Sequence, residues 1–116
     1  MNAIEQNLIN DLKSNGEQSS WDWDADARFA KIIGDEKSEQ IILAAIKSGA
    51  PSAIRFETVH QTGVPKKRLR YLRGLVKKGV ATAYWEGLGE GGKNTFGVNR
   101  LRVYKAQPNK ANQGDG

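Results

Sequence analysis

The 116-residue chain has no cysteine, one histidine and three prolines, and its longest apolar run is Ile41 to Ile46. Without cysteine there is no disulfide framework, no thiolate metal site and no thiol nucleophile. The single histidine, His60, has no carboxylate cluster beside it in sequence, so it reads as a helix-surface or partly packed residue rather than a ligand or catalyst. A membrane span takes about 20 apolar residues, far more than the run here, and no charged-then-apolar leader opens the chain. A cytoplasmic protein without a membrane partner is expected. Asp22, Asp24 and Asp26 share the spacing of a calcium loop, but the glycine and closing glutamate of such a loop are missing. Their place at a helix start, where the dipole favours acids, is a sufficient reason for them. Gly87, Gly89 and Gly92 satisfy G-x-G-x-x-G, yet the strand-like "KNTFGV" follows where a dinucleotide site needs a helix N-terminus. No nucleophile–base pair can be assembled, so neither an enzyme nor a cofactor is expected.

Acidic residues are also missing from one long stretch: none stands between Glu57 and Glu86. The net charge of +5 divides unevenly, −4 over residues 1–49 and +9 over residues 50–116. Such asymmetry points to a polyanionic partner for the basic half, most often nucleic acid.

Periodicity then places the elements. Ile4, Leu8, Ile9 and Leu12 fall on one side of a first helix capped by Asn2 and ended near Gly16. A second helix is expected to start at a Ser20 cap, carry Phe29, Ile32 and Ile33 inward and stop at Gly34. The third, from Asp35 or Ser38 to Gly49, is apolar nearly all round and reads as the central helix of a bundle. A fourth has Ser52 as its cap and Ile54, Phe56 and Val59 inward, with Gly63 ending it. A fifth begins near Pro65, which suits a first helical turn, and stops at Gly79. Beyond it, "VATAYWEG" and "NTFGVNRLRVYKA" read as two strands joined by a glycine-rich tip. Phe96 and Val98 have one parity and Leu101 and Val103 the other, so a bulge is expected near Asn99. These boundaries separate a helical extension over 1–34, a domain over 35–104 and a polar tail over 105–116 expected to be disordered.

In the fifth helix, at about 100° per residue, Leu69, Leu72, Leu75 and Val76 form the core stripe. Lys66, Arg70, Arg73 and Lys77 share a neighbouring face, with Lys67 and Lys78 beyond, while Arg68 lies beside the leucines and is expected to pack its stem along the core edge. Lys66–Arg70 and Arg73–Lys77 are like-charge pairs four residues apart, which repel. Counterion release from nucleic-acid phosphates is the common physical reason for tolerating such a face.

The segment "FETVHQTGVPKKRLRYLRGLVKKGVA" resembles the winged helix-turn-helix pattern: an apolar residue, a glycine-containing turn, a helix with leucines three apart, and a "KKG" stop before the wing. The resemblance runs from about Asp35 to Tyr104. It implies an α+β, mainly α fold, a three-helix core plus two-stranded wing, here with extra N-terminal helices. Pro65 departs from it, standing where the family usually carries a capping Ser or Thr. The resemblance further implies that the helix from Pro65 enters the major groove of double-stranded DNA. Lys66, Lys67, Arg70 and Tyr71 would then meet bases or groove phosphates, with Arg73 and Lys77 along the same helix. Ser52 and Arg55 would hold the backbone, and Lys93, Arg100 and Arg102 would serve from the wing. A homodimer reading two half-sites is expected, as transcriptional regulator or plasmid- or phage-type partition or replication accessory factor. The alternative is a winged-helix adaptor for protein or RNA, its acidic half and three tryptophans serving a protein interface through the N-terminal helices.

Overall fold

The computed structural model describes residues 1–87 and 100–108. Within them run α1 (Ala3–Asn15), β1 (Gln18–Ser19), α2 (Trp23–Ile32), α3 (Glu36–Lys47), α4 (Ser52–Gln61), α5 (Val64–Lys77), β2 (Ala81–Gly87) and β3 (Arg100–Ala106). The architecture is α+β and mainly helical, as the periodicity implies. The glycine-rich tip with Lys93, the strand positions Phe96 and Val98, the bulge near Asn99 and the tail from residue 109 lie outside the described residues.

Short polar side chains start the first three helices. Asn2 accepts the Glu5 N–H at 2.8 Å while the Glu5 carboxylate accepts the Asn2 N–H at 2.9 Å, a reciprocal capping box. The cap of α2 is Asp22, which accepts from the Ala25 N–H at 3.0 Å. The expected cap, Ser20, instead donates its backbone N–H to the Arg102 carbonyl at 2.7 Å. At α3, Asp35 accepts the Ser38 N–H at 3.0 Å and the Ser38 hydroxyl at 2.7 Å. These bonds, the hydroxyl first, hold its carboxyl below the usual aspartate value. The fourth cap also differs from expectation: α4 is preceded by Pro51, Ser52 is its first residue, and no side chain caps it.

The sheet holds the largest difference. The sequence suggests a two-stranded hairpin, but among the described residues the sheet has three strands in the order β1-β3-β2. Gln18 opposes Tyr104 and Ser19 opposes Val103, while Tyr84 of β2 opposes Val103 from the other side. β3 is therefore central rather than an edge. β1 is too short to show an alternating pattern, which hides it from periodicity. β3 also continues to Ala106, and the Gln107 N–H donates to the Val80 carbonyl at 3.0 Å, so the start of the polar tail at 105 is corrected.

One cluster forms the core: Leu8, Ile9 and Leu12 of α1, Phe29 and Ala30 of α2, Ile42 of α3, Val59 of α4, Leu72 and Leu75 of α5, and Tyr104 of β3. Side chains from both sides of residue 34 thus share a single interior. α3 is not the central helix its composition suggests, since only Ser38, Ile42 and Ala45 are buried and Ile41 is 36% exposed. Ile54, expected inward, is 55% exposed. α4 lies at the periphery and buries fully only Val59. The deeply inserted helix is α5, which buries Val64, Pro65, Arg68, Leu72 and Leu75.

Truncating Leu72 to alanine removes fully buried side-chain volume and is expected to lower unfolding free energy by about 2–5 kcal/mol. Ile54→Ala is expected to stay within about 0.5 kcal/mol of wild type. Urea denaturation of both variants checks the two burials together.

Candidate nucleic-acid interface

α5 begins at a tight turn. The Thr62 hydroxyl donates to the Val59 carbonyl at 2.6 Å and accepts the Val64 N–H at 3.2 Å, with Gly63 between them at φ 76°. Only glycine adopts that left-handed backbone without penalty. Thr62 thereby supplies a cap that Gly63 cannot, and Pro65, in the first turn, has no N–H left to satisfy.

The roll of α5 about its axis is set by Arg68. Its side chain is fully buried and donates from Nε to Asp26 at 2.6 Å, from Nη1 to the Gln18 side-chain oxygen at 3.2 Å and from Nη2 to the Ser19 carbonyl at 3.0 Å. The expectation that its stem would lie along the core edge is corrected: the whole guanidinium is inside, because α2 and β1 bring it acceptors. Burial pushes the Asp26 carboxyl above its usual value, against the opposing pull of Arg68. Asp26 is thus more than a dipole-favoured acid of a helix start. Lys78, at the end of α5, donates to Glu5 of α1, and this bond chiefly holds the Glu5 carboxyl below its usual value.

Those two ion pairs take Arg68 and Lys78 out of the cationic set, although no acid is near them in sequence. Lys66, Lys67, Arg70, Arg73 and Lys77 remain exposed and take part in no ion pair among the described residues. The stripe expected from helical spacing, Lys66–Arg70–Arg73–Lys77, therefore faces solvent. Tyr71 is turned the other way, its ring centroid 5.7 Å from that of Phe29 in the rim of the core.

Arg73 links this stripe to the sheet. It lines a groove of about 450 Å³ together with Arg100 and Arg102 of β3, Trp85 of β2, Trp21, Phe56 and His60. Arg102 lies directly opposite Trp85 across the strands, and the guanidinium carbons of Arg100 and Arg102 stand 4.6 and 5.1 Å from its ring centroid. Such contacts hold the guanidinia in place without neutralising them. No acidic side chain is among the described residues lining the groove. Ser52 and Arg55 do not join it. Arg55 lies 5.4 Å from the Trp23 ring and lines a different, apolar groove beside Ile41 and Ile54.

Periodicity and motif do not single out Trp85, Trp21, Phe56 or His60 for this place. For Trp85 the signal, aromatic and basic residues interleaved on "YW" and "RLR", emerges only once β2 and β3 are registered, and Trp21, Phe56 and His60 carry none. The His60 ring stacks on Phe56 with centroids 4.0 Å apart, and burial lowers its pKa. Among the described residues, no three metal-ligating side chains come together, and no helix is long and apolar enough to cross a membrane.

Arg68→Met or Asp26→Leu alone strands a buried charge and is expected to cost about 3–5 kcal/mol in denaturant unfolding, with the double replacement recovering most of it. For His60, a base with a lowered folded-state pKa binds fewer protons when folded, so its contribution to stability is lost as pH falls through the unfolded value near 6.5. The melting temperature of wild type is expected to drop more steeply than that of His60→Gln below that pH. Asp26, raised by burial, acts in the opposite sense, and its Coulombic coupling to His60 opposes the lowering, so the difference reads His60 together with that coupling.

No protein-family model, curated protein or solved structure matches the chain.

Proposed function

We propose that the chain is a non-enzymatic, double-stranded DNA-binding protein, with α3 to α5 and the β2–β3 hairpin acting as a winged helix-turn-helix. α5 would be the helix that enters the major groove. The observation that carries the reading is the exposed stripe Lys66, Arg70, Arg73 and Lys77, held outward by the buried Arg68–Asp26 pair and lacking an acidic partner among the described residues. Cations so sorted gain by displacing counterions from phosphates. Arg100 and Arg102 on β3 extend the positive surface from the helix to the sheet. Lys66 and Arg70 lie toward the start of the helix, the end that reads base edges in helix-turn-helix docking. Tyr71 has a packing role in this reading, and Arg55 and Ser52 are at most peripheral to the contact. A homodimer would present two such helices to half-sites one turn apart, as in a regulator or a plasmid- or phage-type partition or replication accessory factor.

A second reading, an adaptor for another protein, is favoured by one observation. Ile41 and Ile54 are exposed beside an apolar groove of about 320 Å³ between α3 and α4, away from the cationic stripe.

Fluorescence anisotropy of a labelled random-sequence duplex across a salt series separates these readings. Four phosphate contacts by the stripe are expected to give a log–log salt slope of about −3.6, falling to about −1.8 in Lys66→Ala/Arg70→Ala. On a specific site, the same variant is expected to bind more weakly by on the order of 1–3 kcal/mol for each base edge that Lys66 or Arg70 reads. Unchanged affinity in the double variant would remove α5 from the interface. No duplex binding at low salt would leave the adaptor reading.

A further inference from the structure

We infer that the groove between α5 and the sheet takes an unpaired nucleotide of a single-stranded nucleic acid, its base against the aromatic wall at Trp85 and its phosphates on Arg73, Arg100 and Arg102. This goes beyond the duplex reading and does not depend on α5 entering a major groove.

The groove is built from two kinds of surface. Leu69, Leu101 and Tyr104 give it an apolar floor, and Trp85, 55% exposed, stands at its side. The three arginines supply positive charge with no carboxylate among the described lining residues. An apolar floor beside an indole complements the flat face of a base, not its edge. In a duplex those faces are hidden in the stack and only edges and phosphates are offered. A base out of the stack presents the face, and base–aromatic stacking is tolerant of sequence because every base has one. The volume, about 450 Å³, lies within the range of about 300–1,000 Å³ typical of small-ligand sites.

The arginines favour a strand over a free mononucleotide. Arg100 and Arg102 alternate on β3, about 7 Å apart along it, which suits successive phosphates of an extended backbone. Their guanidinium carbons lie 4.6 and 5.1 Å from the Trp85 ring centroid, which holds their charge at the groove's wall, and a guanidinium can meet a phosphate with two N–H donors at once. Arg73 stands on α5 at the groove and belongs to the exposed Lys66–Arg70–Arg73–Lys77 stripe, so positive charge continues beyond the groove along α5.

The experiment uses the full chain and four labelled or competing probes: a dT12 oligonucleotide, an abasic 12-mer of the same backbone, a duplex of random sequence, and thymidine monophosphate. Anisotropy is read for wild type, Trp85→Ala, Trp85→Phe and Lys66→Ala/Arg70→Ala, each first checked for native circular dichroism. Trp85→Ala is expected to weaken dT12 binding on the order of 10- to 100-fold, and Trp85→Phe to retain most of it because a stacking face remains. The abasic 12-mer is expected to bind wild type as weakly as dT12 binds Trp85→Ala, and thymidine monophosphate to compete poorly. Equal dT12 affinity in Trp85→Ala and wild type, or equal affinity of wild type for dT12 and the abasic strand, would overturn the inference. So would thymidine monophosphate competing as well as dT12. Loss of duplex binding in Lys66→Ala/Arg70→Ala with dT12 affinity kept supports both readings. Absence of duplex binding with the Trp85 dependence intact sinks the duplex reading alone.

Discussion

A buried guanidinium governs this fold. Moving a charge out of water costs several kcal/mol unless it is paired and fully hydrogen-bonded, so Arg68 is tolerated inside only because three acceptors meet it. Asp26 comes from α2, and Gln18 and the Ser19 carbonyl from β1. The Gln18 amide then donates to Asp11 of α1, which also accepts from Arg28 of α2 at 2.9 Å. α1, β1, α2 and α5 are thus joined by one polar network. Rolling α5 by a single position, about 100°, would strip Arg68 of its acceptors and set another side chain against Asp26. The direction of the exposed stripe therefore follows from the buried pair.

That arrangement also explains how an acidic and a basic half coexist in one small protein. The opposite charges meet through space, not along the chain. Glu5 neutralises Lys78 and Asp26 neutralises Arg68, each across more than forty residues of sequence. What remains on α5 is a cation set with nothing internal left to do. The sheet adds its own cations beside it, because β1 makes β3 central and the cross-strand register sets Arg102 against Trp85. Tyr84 of β2 reaches Glu17 at 2.7 Å, a bond that pushes the phenol up to about 12 and ties the strand to the segment leading into β1.

Legibility in the sequence tracks the range of the interaction. Capping by Asn2 and Asp35, the glycine stops and the leucine stripe of α5 are local, within a turn or two, and are readable from the chain. The cap of α2 is also local, but Ser20 and Asp22 are equally good caps by type, and pairing of the Ser20 backbone with β3 decides between them. The inward face of α4 is ambiguous because Ile54 and Val59 are alike to periodicity, while only Val59 reaches the shared core. α3 reads as central by composition, yet it is packed largely from one side. Of the candidate site, the cationic stripe is legible. Trp85, Phe56 and His60 are not, since the groove draws them from separate elements. The turning of Tyr71 toward Phe29 is equally hidden.

By itself the sequence determined where the helices stop, the polar caps that open α1 and α3, which side of α5 is apolar, and that the second half carries an unbalanced positive charge. Each depends on neighbours within about four positions, the reach of helical geometry. Only the tertiary structure decided that two of the cations are consumed by distant acids, that a two-residue strand completes the sheet, and that Arg73, Arg100, Arg102 and Trp85 share a groove. Those outcomes depend on which surfaces the core brings together. Burial selects partners by position in space, and a charge pattern along the chain does not record it.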